Sequence, residues 1–184
     1  LAADARHAVY SHSVAGAILE KADFQVGIVG EVPGGIPAKC LIDILPRYDS
    51  PYAEAIVDFK TISTGLDDDS VRKAIGKFGY HWQAAFYVSL TNKAYEAIGS
   101  DRRIKYFIFI FQDPATLEVR VIRLDSGSLA NGNNAVRSSL IEFRECAANG
   151  IRSRYADEID VLKLMPFHAD ADNQEVEIEA EGTV

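Results

Sequence analysis

The longest apolar run in the chain, Tyr-Phe-Ile-Phe-Ile-Phe at 106–111, is the length of a strand. It falls far short of the ~18 residues that a membrane-crossing helix requires, so no membrane span is expected. Residues 104–112 and 117–124 read as two strands, joined through Asp113-Pro114-Ala115-Thr116 as an antiparallel hairpin. Upstream, residues 24–32 alternate as a strand, Pro33-Gly34-Gly35 supplies the turn, and residues 36–45 return. Residues 55–62, rich in Ile, Val, Phe and Thr, form a third strand. Helical periodicity covers residues 2–21, the stretch from the Asp67-Asp68-Asp69-Ser70 capping segment to Ile98, and residues 127–149 before Gly150. The middle helix is expected to bend or break near Gly76 and Gly79. The order α, β, β, β, α, β, β, α, with no internal repeat, predicts one α/β (α+β) domain: a mixed central sheet flanked by helices.

Net charge is −8 over 184 residues, which at first sight argues against a nucleic-acid partner. Nine acids from Asp157 to Glu181 stand against Lys163 alone, so residues 1–156 balance 18 acids with 18 bases. The acidity belongs to a tail, expected to be solvated or disordered, and a neutral body is free to carry a basic groove. Cys40 and Cys146 are too few for a disulfide framework or a thiolate metal site, so a reducing, cytoplasmic setting is the simpler reading. The chain opens Leu1-Ala2-Ala3-Asp4 without a signal-peptide layout, and is expected to be a piece of a longer protein.

Chemistry concentrates between residues 38 and 61. Asp43 sits inside the apolar stretch Cys40-Leu41-Ile42-Asp43-Ile44-Leu45, where a carboxylate wants a partner, a proton or a metal. In Ile56-Val57-Asp58-Phe59-Lys60-Thr61, alternation puts Asp58 and Lys60 on one face and Val57 and Phe59 on the other. Neighbouring strands would bring Asp43, Asp58 and Lys60 together. Two carboxylates hold a hard divalent ion along with waters and phosphate oxygens, and a lysine beside it positions the attacking water. Spacing alone leaves a second reading open: a solvent-facing strand, with Asp43 paired to Lys39 or Arg47. In the helix that follows, Tyr80, Gln83 and Tyr87 share a face that would meet a phosphate backbone; the other reading is a buried aromatic helix with Gln83 bonded to backbone.

An apolar strand ending Ile-Asp, then Val-Asp-Phe-Lys-Thr, then a Tyr-His-x-Gln-Ala-Ala-x-Tyr helix resembles the PD-(D/E)xK nuclease superfamily. Within it the likeness is to the exonuclease VIII (RecE-type) branch of prophage recombination systems, related to the RecB nuclease domain. The likeness covers most of the chain, so residues 1–165 are expected as a nuclease-like domain with a restriction-endonuclease-like core, and 166–184 as the acidic tail. The resemblance implies that Asp43, Asp58 and the Phe59 carbonyl hold Mg²⁺ or Mn²⁺, that Lys60 is the catalytic lysine, and that Gln83 and Tyr87 lie against DNA. It further implies a 5′ to 3′ exonuclease on linear double-stranded DNA, working with a single-strand annealing protein and assembling as a homo-oligomeric ring. A catalytically silent DNA-binding or assembly module is the alternative, and an endonuclease a third. Three departures accompany the likeness: Ile42 replaces the Pro of the name-giving pair, Gln25 stands where relatives often carry glutamate, and neither His7 nor His12 matches the branch's metal-site histidine.

Elsewhere the motifs are weaker. Pro33-Gly34-Gly35 is a turn rather than a phosphate loop, and Asp67-Asp68-Asp69 caps a helix rather than holding calcium. Ser126-Gly127-Ser128 lacks a histidine partner. His168 lies among tail acids, and Arg102-Arg103-Ile104-Lys105 is either a DNA-backbone contact or a solvated loop.

Overall fold

Pairing of the strands decides where Asp43 and Asp58 end up. In the computed structural model, which describes residues 2–150, five strands form one sheet in the order β1 (Ala22–Val32), β2 (Ile36–Pro46), β3 (Ala55–Thr61), β4 (Tyr106–Gln112), β5 (Val119–Arg123). β1–β2, β2–β3 and β4–β5 are antiparallel, whereas β3 and β4 run parallel and need a crossover. Helices α3 (Asp68–Lys77) and α4 (Tyr80–Ala97) supply that crossover. Helices α1 (Ala2–Ser11) and α2 (Ser13–Glu20) precede the sheet, and α5 (Ser126–Asn149) follows it. By backbone contact the chain divides after Glu145, and the sheet and its cores belong to the unit that ends there. This mixed sheet with flanking helices is the architecture expected. No helix among the described residues is long and apolar enough to cross a membrane. His168 and the proposed 166–184 tail lie outside the described residues.

Each face of the sheet carries its own core. Ile42, Ile56, Phe107, Phe109 and Phe111 pack with Val71 and Ala74 of α3 and Ala84 and Leu90 of α4. On the opposite face Ile44, Val57, Ile108 and Ile110 pack with Val9 of α1 and Ala15, Ile18 and Leu19 of α2. β4 is thus buried on both sides, which is why its sequence is continuously apolar instead of alternating.

Two expectations need correction. Residues 2–21 form two helices, because His12 turns extended (φ −71°, ψ 122°) and accepts the Ala15 N–H on Nδ1 at 3.2 Å, capping α2. Gly16 permits the tight turn: a Cβ there would lie 2.4 Å from the Tyr10 carbonyl oxygen. The strand expected from residue 104 starts at Tyr106, because the Asn92 side chain takes both backbone groups of Ile104, at 2.7 Å and 2.9 Å. The break between α3 and α4 falls at Phe78–Gly79, with Gly79 left-handed at φ 65°. Asp67 caps α3 by accepting the Asp69 and Ser70 N–H groups. Of the basic cluster at 102–105, Arg102 is committed within the fold. Its guanidinium donates to the Pro46 and Ala53 carbonyls and lies against the Tyr48 and Tyr95 rings, tying the β2–β3 loop to α4.

Candidate active site

β2 and β3 are in register only at Ile44↔Val57, whereas β1–β2 and β3–β4 keep long ladders on either side. Beyond that pair the two strands part, and Asp43 occupies the opening. Its Oδ2 accepts the Phe59 N–H at 3.3 Å, satisfying a strand donor that has lost its ladder partner. Its Oδ1 accepts the Gln25 amide of β1 at 3.1 Å.

Asp58 lies one pleat away on the helix-facing side of β3, where alternation after Ile56 directs it. It is 2 % exposed, and its register partner on β4 is Phe109, a member of the Phe107–Phe109–Phe111 ladder with ring centroids 4.9 Å and 5.4 Å apart. Gln83 of α4 donates to Asp58 Oδ1 at 2.8 Å. Lys60 Nζ stands 2.6 Å from Asp58 Oδ2. That contact is an ion pair off the angle of a hydrogen bond, so Oδ2 is buried without a hydrogen-bond partner.

The electrostatics follow from this packing. Burial among phenylalanines pushes the Asp58 carboxyl above its ordinary value, with the Asp43 charge adding to the effect; Lys60 and Gln83 oppose it. Burial also raises the Tyr87 phenol, opposed by a hydrogen bond with Gln83, so Tyr87 stays a neutral hydroxyl. Lys60 Nζ also lies 4.9 Å from the Tyr80 ring centroid, which packs against Phe109.

Asp43, Asp58, Lys60, Tyr80, Gln83 and Tyr87 therefore gather on the α4 side of the split between β2 and β3. Gln83 donates its amide to the Asp58 side chain and not to backbone. Gln25 is the member that sequence reasoning left out of the candidate set. It is a non-glycine residue at φ 52°, and the β1–β2 register passes over it between Phe24↔Ile44 and Val26↔Ile42. That strain aims its amide at Asp43, and no local pattern in the sequence signals it. His7 and His12 lie on α1 and its junction with α2, His12 as a cap, and neither joins the cluster.

No group of three or more His, Cys, Asp or Glu side chains among the described residues is placed to hold a metal ion. The donor set is two carboxylates, which suits a hard divalent ion completed by water and phosphate oxygens and not a closed all-protein cage. Asp58 Oδ2 fits that chemistry: it is buried beside the Lys60 ammonium but accepts no hydrogen bond, which leaves its lone pairs for such an ion.

Residues 1–165 match the family described as a PDDEXK-like domain of unknown function (DUF3799). Among solved structures the chain is similar to a crystal structure named "Putative exonuclease" from Eubacterium rectale, at TM-score 0.59 and 17% identity. The match covers 91% of this chain and 63% of that one, so this chain spans less than two thirds of that protein's length. A second likeness, to the crystal structure of SSO0001, has TM-score 0.38 and 16% identity over 82% of this chain and 60% of that one, and no argument rests on it. No curated protein matches the sequence significantly.

Proposed function

Since the chain belongs to this PDDEXK-like family, we propose that it is a divalent-metal-dependent DNA nuclease acting on phosphodiester bonds. The observation that carries the reading is the meeting of Asp43 and Asp58 where β2 and β3 part, with Lys60 2.6 Å from a buried Asp58 oxygen that has no hydrogen bond. The finer reading is an exonuclease on linear double-stranded DNA, 5′ to 3′, in phage-type recombination. The name of the Eubacterium rectale protein supports the exonuclease part, and the sequence resemblance supports the rest.

In this reading Asp43, Asp58 and the Phe59 carbonyl would hold Mg²⁺ or Mn²⁺, which would supply Lewis acidity toward the phosphate and the attacking water. The remaining work belongs to the side chains. Lys60 orients the attacking water and offsets charge building on the phosphate oxygens. Gln83 and Gln25 each donate one amide N–H hydrogen bond to a carboxylate, Asp58 and Asp43 respectively, so the acids need no reorganisation on binding substrate. Tyr87, held neutral, offers a hydroxyl to a phosphate oxygen. Exclusion of water by the Phe107–Phe109–Phe111 ladder strengthens the interactions made by Asp58.

The test is cleavage of an end-labelled linear duplex with Mg²⁺, with Mn²⁺ and with EDTA, beside the Lys60→Ala variant. Metal-dependent loss of label that Lys60→Ala abolishes is expected. A covalently closed circle in parallel separates exonuclease, which spares it, from endonuclease. Absence of both cleavage and Mn²⁺ binding would overturn the reading in favour of a silent nuclease-fold module.

A further inference from the structure

Phe78 is a large apolar ring at a position with no core to fill. It is 61% exposed at the C-cap of α3, immediately before left-handed Gly79. The turn does not need the ring: the Phe78 backbone N–H bonds the Ala74 carbonyl, and Gly79 supplies the reversal. What the ring does touch leads to the candidate site. Phe78 stacks on Tyr80 with centroids 5.5 Å apart and 25° between the planes, and Tyr80 carries Lys60 Nζ over its own ring at 4.9 Å. At the outer end Lys77 Nζ lies 5.4 Å from the Phe78 centroid. The order is cation, ring, ring, cation, running from the Asp58–Lys60 pair out to solvent.

A polyanion with flat apolar units between its charges is complementary to that ladder. Nucleobases stack on aromatic faces whatever their sequence, and lysines at either end match the phosphates that flank a base. Lys77, on a flexible stem, can yield the ring to a base and follow the neighbouring phosphate. A fully paired interior base pair presents only its edges, so the platform selects a nucleotide whose base face is free: one at a strand end or unpaired.

We propose that Phe78, backed by Tyr80, is the stacking platform for the nucleobase adjoining the phosphodiester held at Asp43, Asp58 and Lys60, so that this site takes strand ends or unpaired nucleotides in preference to closed duplex. The proposal rests on the nuclease reading above. Phe78 is a positioning residue here, since it touches the base and not the reacting atoms.

The experiment measures kcat/KM of the chain and of Phe78→Ala and Phe78→Trp on two linear duplexes, one intact and one abasic at the nucleotide next to the first bond cut. Wild type is expected to lose about tenfold on the abasic substrate, the order of one base–aromatic stack. Phe78→Ala should lose about as much on the intact duplex and little more on the abasic one, while Phe78→Trp restores the preference. Such coupling between ring and base is one that a structural role would not produce. Cleavage of each substrate by Phe78→Ala at the wild-type rate for that substrate, the intact duplex included, would overturn the platform and leave the nuclease reading standing. Absence of cleavage by wild type on both duplexes would instead remove the nuclease reading, and the platform with it.

Discussion

Replacing Lys60 with methionine keeps the length of the side chain and removes only the charge that faces Asp58. The carboxylate, 2 % exposed and lined by Phe109, is then left without its cation. Unpairing a buried ion pair on one side commonly costs about 3–5 kcal/mol. Here the cost has a ceiling, because Asp58 can take a proton instead. At pH 7, protonating a carboxyl with the ordinary value of 3.8 takes about 4 kcal/mol, at about 1.4 kcal/mol per unit. At pH 5 the same ceiling drops to about 1.6 kcal/mol.

The sign is consistent with the wild-type site. A carboxyl whose folded pKa is already raised withholds stability above that pKa and returns it as pH falls toward the unfolded value. Loss of Lys60 raises the folded pKa further, so the penalty widens at neutral pH and closes in acid. Urea unfolding at pH 7 and pH 5, without divalent metal, can be followed by fluorescence of Trp82, the single tryptophan. The expected destabilisation of Lys60→Met is roughly 2–4 kcal/mol at pH 7 and under about 1.6 kcal/mol at pH 5. A difference that does not change with pH, or one below about 0.5 kcal/mol at pH 7, the size of an ordinary surface change, would refute the account of Asp58 as a buried charge held by Lys60.

Mn²⁺ at about a hundredfold over its dissociation constant should stabilise the fold by about 2.7 kcal/mol, a melting rise of roughly 5–10 °C; calorimetry of Asp43→Asn and Asp58→Asn should show that rise lost in both. Gln25→Glu places a third carboxylate where the amide now lies 3.1 Å from Asp43, so the melting temperature should fall in EDTA and recover with Mn²⁺, and titration calorimetry should give tighter metal binding than wild type. Gly132→Ala should cost about 1–3 kcal/mol, because its Cβ would stand 2.2 Å from the His81 carbonyl oxygen of α4. That contact is backbone against backbone and no rotamer relieves it; an unchanged urea midpoint would show that α4 and α5 cross less closely than described.

Much of this architecture was legible along the chain because it is written in short-range terms. Period-two alternation placed β1 and β2, turn chemistry at Pro33-Gly34-Gly35 joined them, and Asp67 marked the start of α3 by the geometry of a cap. The Asp-x-Lys spacing was enough to put Asp58 and Lys60 on one face of a strand, since that follows from the pleat alone. The break at His12 was not legible, because residues 2–21 keep helical periodicity on both sides of it. Nor was the start of β4, which is set by Asn92, twelve residues upstream of Ile104.

The candidate site depends on decisions that no local pattern carries. That β2 and β3 stay in register at one pair and then part is a property of how two long ladders, β1–β2 and β3–β4, share one sheet. The parting creates the opening for Asp43 and leaves the Phe59 N–H for it to accept. The left-handed turn at Gln25 has no glycine to announce it, and only the packing of β1 around Asp43 holds it. In the sequence, residue types and their periodicity determine the elements and the faces of the acids and the lysine, because these are consequences of covalent geometry over a few residues. Tertiary structure alone decides how deeply Asp58 is buried, which amide bonds which carboxylate and which ring backs Lys60, because each depends on chain segments brought together by burial of apolar surface from far apart.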